Sequence, residues 1–152
     1  MKRSFRMNKL AELAEVEERA AGAALAQANI ALMREQASLD TLKQYLTEYE
    51  DRARATRTQT SAQRMKDYAN FVQQLNVAIR EQSLRVAQFA QALEVSQQEW
   101  LCKHQRVESL EKVANRAKCE EDAAARKSVD QRLLERVPYA SHQNPGSNDR
   151  LN

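Results

Sequence analysis

The chain has 152 residues, of which 30% are charged and 5% aromatic, with only 2 Gly and 2 Pro. Its 24 basic residues nearly balance 21 acidic ones, for a net charge of +3, so it carries no basic sheath of the kind that grips nucleic acid. Neither Gly nor Pro occurs between residues 23 and 137, which excludes a sandwich or an α/β sheet, and the heavy use of Ala, Glu, Lys, Leu, Arg and Gln belongs to long helices.

The N-terminus carries Lys2, Arg3, Arg6 and Lys9 with no acid among them, which reads as a solvated helix start. A first helix is expected over about residues 5–54. Its apolar stripe steps by alternating threes and fours through Leu25, Ala28, Leu32, Glu35, Leu39, Leu42, Leu46 and Tyr49, with Glu35 the one exception. Backwards it continues through Ala21, Glu18 and Ala14 towards Leu10. Residues 55–63 lose this period and gather Thr56, Thr58, Thr60 and Ser61. Thr60 or Ser61 fits the N-cap of a second helix. Arg52, Arg54, Arg57, Arg64 and Lys66 cluster around this break with no acid between them.

The second helix, expected over about residues 64–136, gives the clearest signal. Tyr68, Val72, Leu75, Ile79, Gln82, Val86, Phe89, Leu93, Ser96, Trp100, Lys103, Val107, Leu110, Ala114 and Ala117 hold the same alternation, and only Gln82, Ser96 and Lys103 are polar. A repeat of 3.5 residues held this long is what a left-handed supercoil requires. Two striped helices joined by a short polar break form an antiparallel pair, so the fold class is all-α: a coiled-coil hairpin of two long helices. With the turn centred near residue 60, residue i faces roughly residue 121 − i. Tyr49 then meets Val72, Leu46 meets Leu75, Leu42 meets Ile79 and Leu32 meets Phe89. Ala21 lies opposite Trp100, Ala28 opposite Leu93 and Glu18 opposite Lys103.

The helices are unequal, so residues beyond about Lys118 have no partner within the chain. This overhang carries Arg126, Lys127, Arg132, Leu133, Leu134 and Arg136. Near the turn, Tyr45, Phe71 and Ala78 widen the apolar stripe beyond its seam and offer a partner surface. Surface pairs with the acid four residues before the base (Glu15–Arg19, Glu48–Arg52, Glu50–Arg54, Glu108–Lys112, Asp122–Arg126) support helix formation. Pro138 ends the helix, and residues 137–152 are expected to be a disordered tail.

No residues assemble into chemistry. There is no Gly-rich phosphate loop, no paired-Cys metal spacing and no nucleophile elbow. Cys102 and Cys119 lie 17 residues apart on one helix, about 25 Å, too far to bridge within a chain. Free thiols suit a reducing compartment. Cys102 and His104 diverge around the helix, and His104 reads as a surface residue. No stretch has the length of a membrane span. The expectation is a protein that is not an enzyme, holds no cofactor or metal, and is a monomer or weakly self-associating.

The motifs Leu39-x-x-Leu42-x-x-Tyr45-x-x-Glu48-Tyr49 and Tyr68-x-x-Phe71-Val72-x-x-Leu75-x-x-Ala78-Ile79-x-x-Gln82, followed by Trp100-x-x-Lys103-x-x-Arg106 and the charged run with Arg126, Lys127 and Asp130, resemble the FliJ family. The resemblance runs over about residues 5–136. It implies an antiparallel coiled coil similar to the γ stalk of rotary ATPases. The end bearing the termini would insert into the ring of the flagellar export ATPase FliI, promoting its assembly and activity. The opposite region would contact the export gate protein FlhA, and export chaperones would be further partners. Carried over by motif, the gate contact is Phe71, Leu75, Ala78 and Gln82; Arg126, Lys127, Arg132 and Arg136 are the candidate ATPase contacts. The implied setting is flagellum biogenesis and chemotaxis, with the protein cytoplasmic and peripheral at the inner-membrane face of the basal body. The alternatives are a coiled-coil scaffold and the stalk of a virulence type III secretion system. A nucleic-acid binder is a weaker rival.

Overall fold

The computed structural model describes residues 2–59 and 61–137. Helix α1 spans Arg3–Ala55, a single 3-10 turn covers Arg57–Gln59, and helix α2 spans Ala62–Arg136. At 53 and 75 residues the helices are roughly 80 and 110 Å long, from ~1.5 Å rise per residue. They pack against each other as an antiparallel hairpin, with no strand among the described residues. The expected tail from residue 138 onward lies outside the described residues, as does Thr60.

Local chemistry explains the turn. The Thr56 N–H and hydroxyl both donate to the Arg52 carbonyl, at 3.2 and 3.0 Å, closing α1. Arg52 and Arg54 stand in its last turn, where the negative end of the helix dipole favours cations. Ser61 caps α2, its hydroxyl accepting from the Arg64 N–H at 3.3 Å, which satisfies one of the unpaired donors of a helix start. The connection is therefore shorter than residues 55–63.

The seam follows the alternating period. Every seam position from Tyr68 to Ala117 on α2 is buried or half-buried, as is every one from Ala14 to Tyr49 on α1. The most deeply covered are Ala11, Ala14, Leu39, Leu75, Val107, Ala114 and Ala117. Towards the N-terminus the stripe takes Ala11, Met7 and Ser4, while Leu10 is 43% exposed. Holding the three–four alternation requires a step of three from Ala14, and a step of four turns the side chain off the seam.

The register brackets the expected one. Paired residue numbers sum to 117 at Tyr49–Tyr68 and to 125 at Ser4–Glu121. At Trp100 the residue found in contact is Gly22, next to the expected Ala21: a Cβ built on Gly22 would sit 3.5 Å from Cδ1 and Nε1 of the indole. Of the expected surface pairs, Glu15–Arg19 forms at 3.9 Å. Arg54 turns instead to Asp51 at 4.0 Å. Glu48 accepts from Gln44 at 3.1 Å, and Arg126 donates to the Asp122 backbone carbonyl at 3.4 Å.

Leu39→Ala is expected to lower unfolding free energy by about 2–4 kcal/mol, as removal of a buried leucine does, whereas Leu134→Ala, at a site 75% exposed, should change it little. Gly22→Ala should be neutral to stabilising by up to about 1 kcal/mol, since the new methyl meets Trp100 at ordinary contact distance and alanine favours the helix. Chemical denaturation followed by circular dichroism measures all three.

Candidate functional site

Three places along the rod gather polar or exposed apolar side chains beyond what the seam needs. The first is near the turn. Tyr49 stacks on Tyr68 with ring centroids 5.2 Å apart and meets Phe71 at 4.4 Å in a tilted pair. Phe71 is still 41% exposed and Tyr45 55% exposed. Phe71, Leu75, Ala78 and Gln82 share one stripe of α2, but the structure divides them. Leu75 is buried in the seam. Gln82 is half-buried and donates to the Glu35 carbonyl at 2.9 Å and to its carboxylate at 2.6 Å. Phe71 and Ala78 each precede a seam residue by one, so they emerge about 100° away, on the flank. Glu35 also accepts two bonds from Arg85, at 3.0 and 3.3 Å. The Arg85 guanidinium, and then Gln82, hold its carboxyl below the ordinary value of 4.5.

The second place is the middle of the rod, and His104 is its centre. Its ring stacks on Trp100 at 4.9 Å, with Nδ1 3.2 Å from Glu18 and Nε2 3.4 Å from Glu108. It is half-buried, not the surface residue that its spacing from Cys102 suggests. Its positions four after Trp100 and four before Glu108 are the available signal. The simple register puts Glu18 opposite Lys103; instead Lys103 reaches Glu17 at 3.2 Å, with Arg106 at 3.8 Å from the same carboxylate. A long flexible lysine takes the outer acid, leaving the inner one to the flat ring. Close by, Glu111 is pushed above the ordinary 4.5 by its hydrogen bond with Glu15, then by burial and by the charges of Glu15, Glu18 and Glu108.

The third place is the far end. The Ser4 N–H donates to Glu121 at 3.0 Å and the Ser4 hydroxyl donates to the same carboxylate, so pairing extends to Glu121. These bonds hold the Glu121 carboxyl below its ordinary value. Beyond it residues 122–137 are all exposed. Arg126, Lys127, Arg132 and Arg136 stand here together, and none forms an ion pair among the described residues. Val129, Leu133, Leu134 and Val137 are 53–75% exposed. Val129, Leu133 and Val137 repeat every four residues, one to two positions past the continued seam of Ser128, Gln131 and Glu135, so this apolar stripe points elsewhere.

Among the described residues no cluster of His, Cys, Asp and Glu could hold a metal ion, and both cysteines are exposed and free. No helix of the described residues is long and apolar enough to cross a membrane. What the geometry defines is a two-helix coiled-coil rod with exposed apolar and charged side chains gathered near its two ends. A family model described as flagellar FliJ protein matches residues 2–134, and the chain belongs to that family. It is thus a component of flagellar protein export, a family of structural and not catalytic parts. No curated protein matches the chain.

The shifted carboxyls set the sign of two pH effects. Glu35, with a lowered value, contributes stability above pH 4.5 that is lost as pH falls through its folded value. Glu111, with a raised value, opposes folding once pH rises through its folded value. Glu111→Gln should therefore raise the thermal midpoint at neutral pH, with the gain disappearing in acid. Glu35→Gln should lower it at neutral pH, with the deficit shrinking in acid. Scanning calorimetry across that range reads both.

Proposed function

We propose that the chain is the central stalk of the flagellar export ATPase. In this reading the end bearing the termini enters the FliI ring and promotes its assembly and activity, while the region near the turn contacts the export gate protein FlhA. It works in the cytoplasm, peripheral to the inner membrane at the basal body, and also receives export chaperones.

The observation that carries this reading is the unpaired overhang. A helix end that folds against nothing among the described residues, with Arg126, Lys127, Arg132 and Arg136 projecting from it and all of residues 122–137 exposed, has the form of a shaft tip. Exposed guanidinium and ammonium groups form bonds that are individually weak and readily exchanged, which suits contact with a ring whose subunits change state in turn. At the other end Phe71 and Ala78 supply the outer flank of the gate contact. Leu75 and Gln82 hold that stripe of α2 against α1 from beneath.

Reversing the charge of Arg126, Lys127, Arg132 and Arg136 together is expected to abolish stimulation of ATP turnover by the purified ATPase. The circular dichroism of the hairpin should hardly change, because none of the four touches α1. Stimulation that survived the reversal would remove these residues from the ATPase contact. Separately, Phe71→Ala should weaken capture of the cytoplasmic part of FlhA at least about tenfold, as loss of an exposed aromatic anchor does, while leaving ATPase stimulation intact.

A further inference from the structure

The tip of the hairpin contains an open cleft of about 850 Å³. Its wall is the stacked pair Tyr49 and Tyr68, and its lip includes Met65, which is 60% exposed. Arg52, Arg57 and Arg64 stand around it, and no ion pair occupies any of the three among the described residues. A fourth arginine, Arg54, is engaged by Asp51 at 4.0 Å. Two acids also line the cleft, Glu50 and Asp67, and Asp67 already accepts a bond from Gln63 at 3.1 Å. The cations remain in excess.

The free hairpin gives no reason for all of these charges. Arg52 and Arg54 are favoured by the end of α1, but α2 opens with Arg64 and Lys66 near its positive pole, and its first turn contains no acid. Cations there oppose the helix dipole. Residues that run against local stability next to a concave apolar surface mark a place where a ligand supplies the missing charge.

We propose that this cleft docks an acidic peptide segment carrying an aromatic or branched aliphatic side chain. Its carboxylates lie on Arg52, Arg57 and Arg64, whose planar guanidinium groups match a carboxylate with two parallel bonds. Its apolar side chain packs on the tyrosine pair and Met65. The concavity favours a peptide over a lipid surface, since the apolar atoms lie inside a cleft between two helices and not on an outward face. The cleft lies apart from the proposed ATPase contact but adjoins the proposed gate contact, since its wall residue Tyr49 meets Phe71 at 4.4 Å.

The test is fluorescence anisotropy of a labelled peptide built from repeated Glu-Glu-Leu-Phe units, titrated with the full chain, beside its Lys-for-Glu counterpart. The acidic peptide should bind and the basic one should not, and added salt should weaken binding. The double variant Arg57→Glu/Arg64→Glu should bind at least about tenfold more weakly. Its thermal midpoint should hold, because a glutamate in place of Arg64 complements the dipole in the first turn of α2 and offsets the cation lost at Arg57 beyond the end of α1. Met65→Ser should weaken binding without altering its salt dependence. Failure of the acidic peptide to bind, or equal binding by wild type and the double variant, would overturn the proposal. Arginine-dependent capture of phosphatidylglycerol vesicles with no peptide binding would also overturn it and assign the surface to lipid.

Discussion

Two helices with no third layer can cover only one stripe on each. That constraint governs the whole molecule. Among the described residues no side chain is completely buried, so cohesion is spread thinly along the rod. A periodic seam also leaves a problem of its own, because sliding one helix past the other by a heptad restores most apolar contacts. The polar contacts across the seam remove that freedom. Glu35 with Gln82 and Arg85, Glu17 and Glu18 with Lys103 and His104, and Ser4 with Glu121 each fit one alignment. A slide would separate all three sets together. Exposed charge pairs contribute little stability individually; their role here is to choose the register.

This division of labour leaves the remaining surface available for contact. Around the turn, aromatic rings extend past the seam and cations outnumber the acids beside them. At the opposite end α2 continues alone among the described residues. The middle of the rod is occupied by its own internal pairing of Trp100, His104 and the flanking acids. Exposed apolar and charged side chains thus gather at well-separated points on a chain of the flagellar FliJ family.

The fold was readable because its information is periodic. The steps of three and four fix which side of each helix is covered, and they placed every seam residue from Tyr68 to Ala117. What escaped lies one residue to either side of that line. Leu10 was reached by a step of four where the alternation demands three. His104, next to Lys103, exchanges the expected partner Glu18 with it, because a difference of about 100° around the helix is within the reach of a long side chain. Phe71 and Ala78 were visible as off-seam apolar residues. The burial of Leu75 beside them comes from the same count, so a motif that names all four mixes surface with seam. The cleft at the turn depends on how two helix ends and a loop meet in space, and composition revealed only its arginines.

The overhang has a consequence for how the far end responds to a partner. An isolated helix of fifteen or so residues is marginal in water, because the first turn is costly to form. Residues 122–136 avoid that step, since they extend a helix already nucleated far back in the paired region. Each further turn needs only propagation, whose free energy per residue is close to zero. The length of this helical overhang is therefore adjustable in small increments. A partner that gripped this end would lengthen the ordered part turn by turn, and one that released it would let the end fray without disturbing the seam behind.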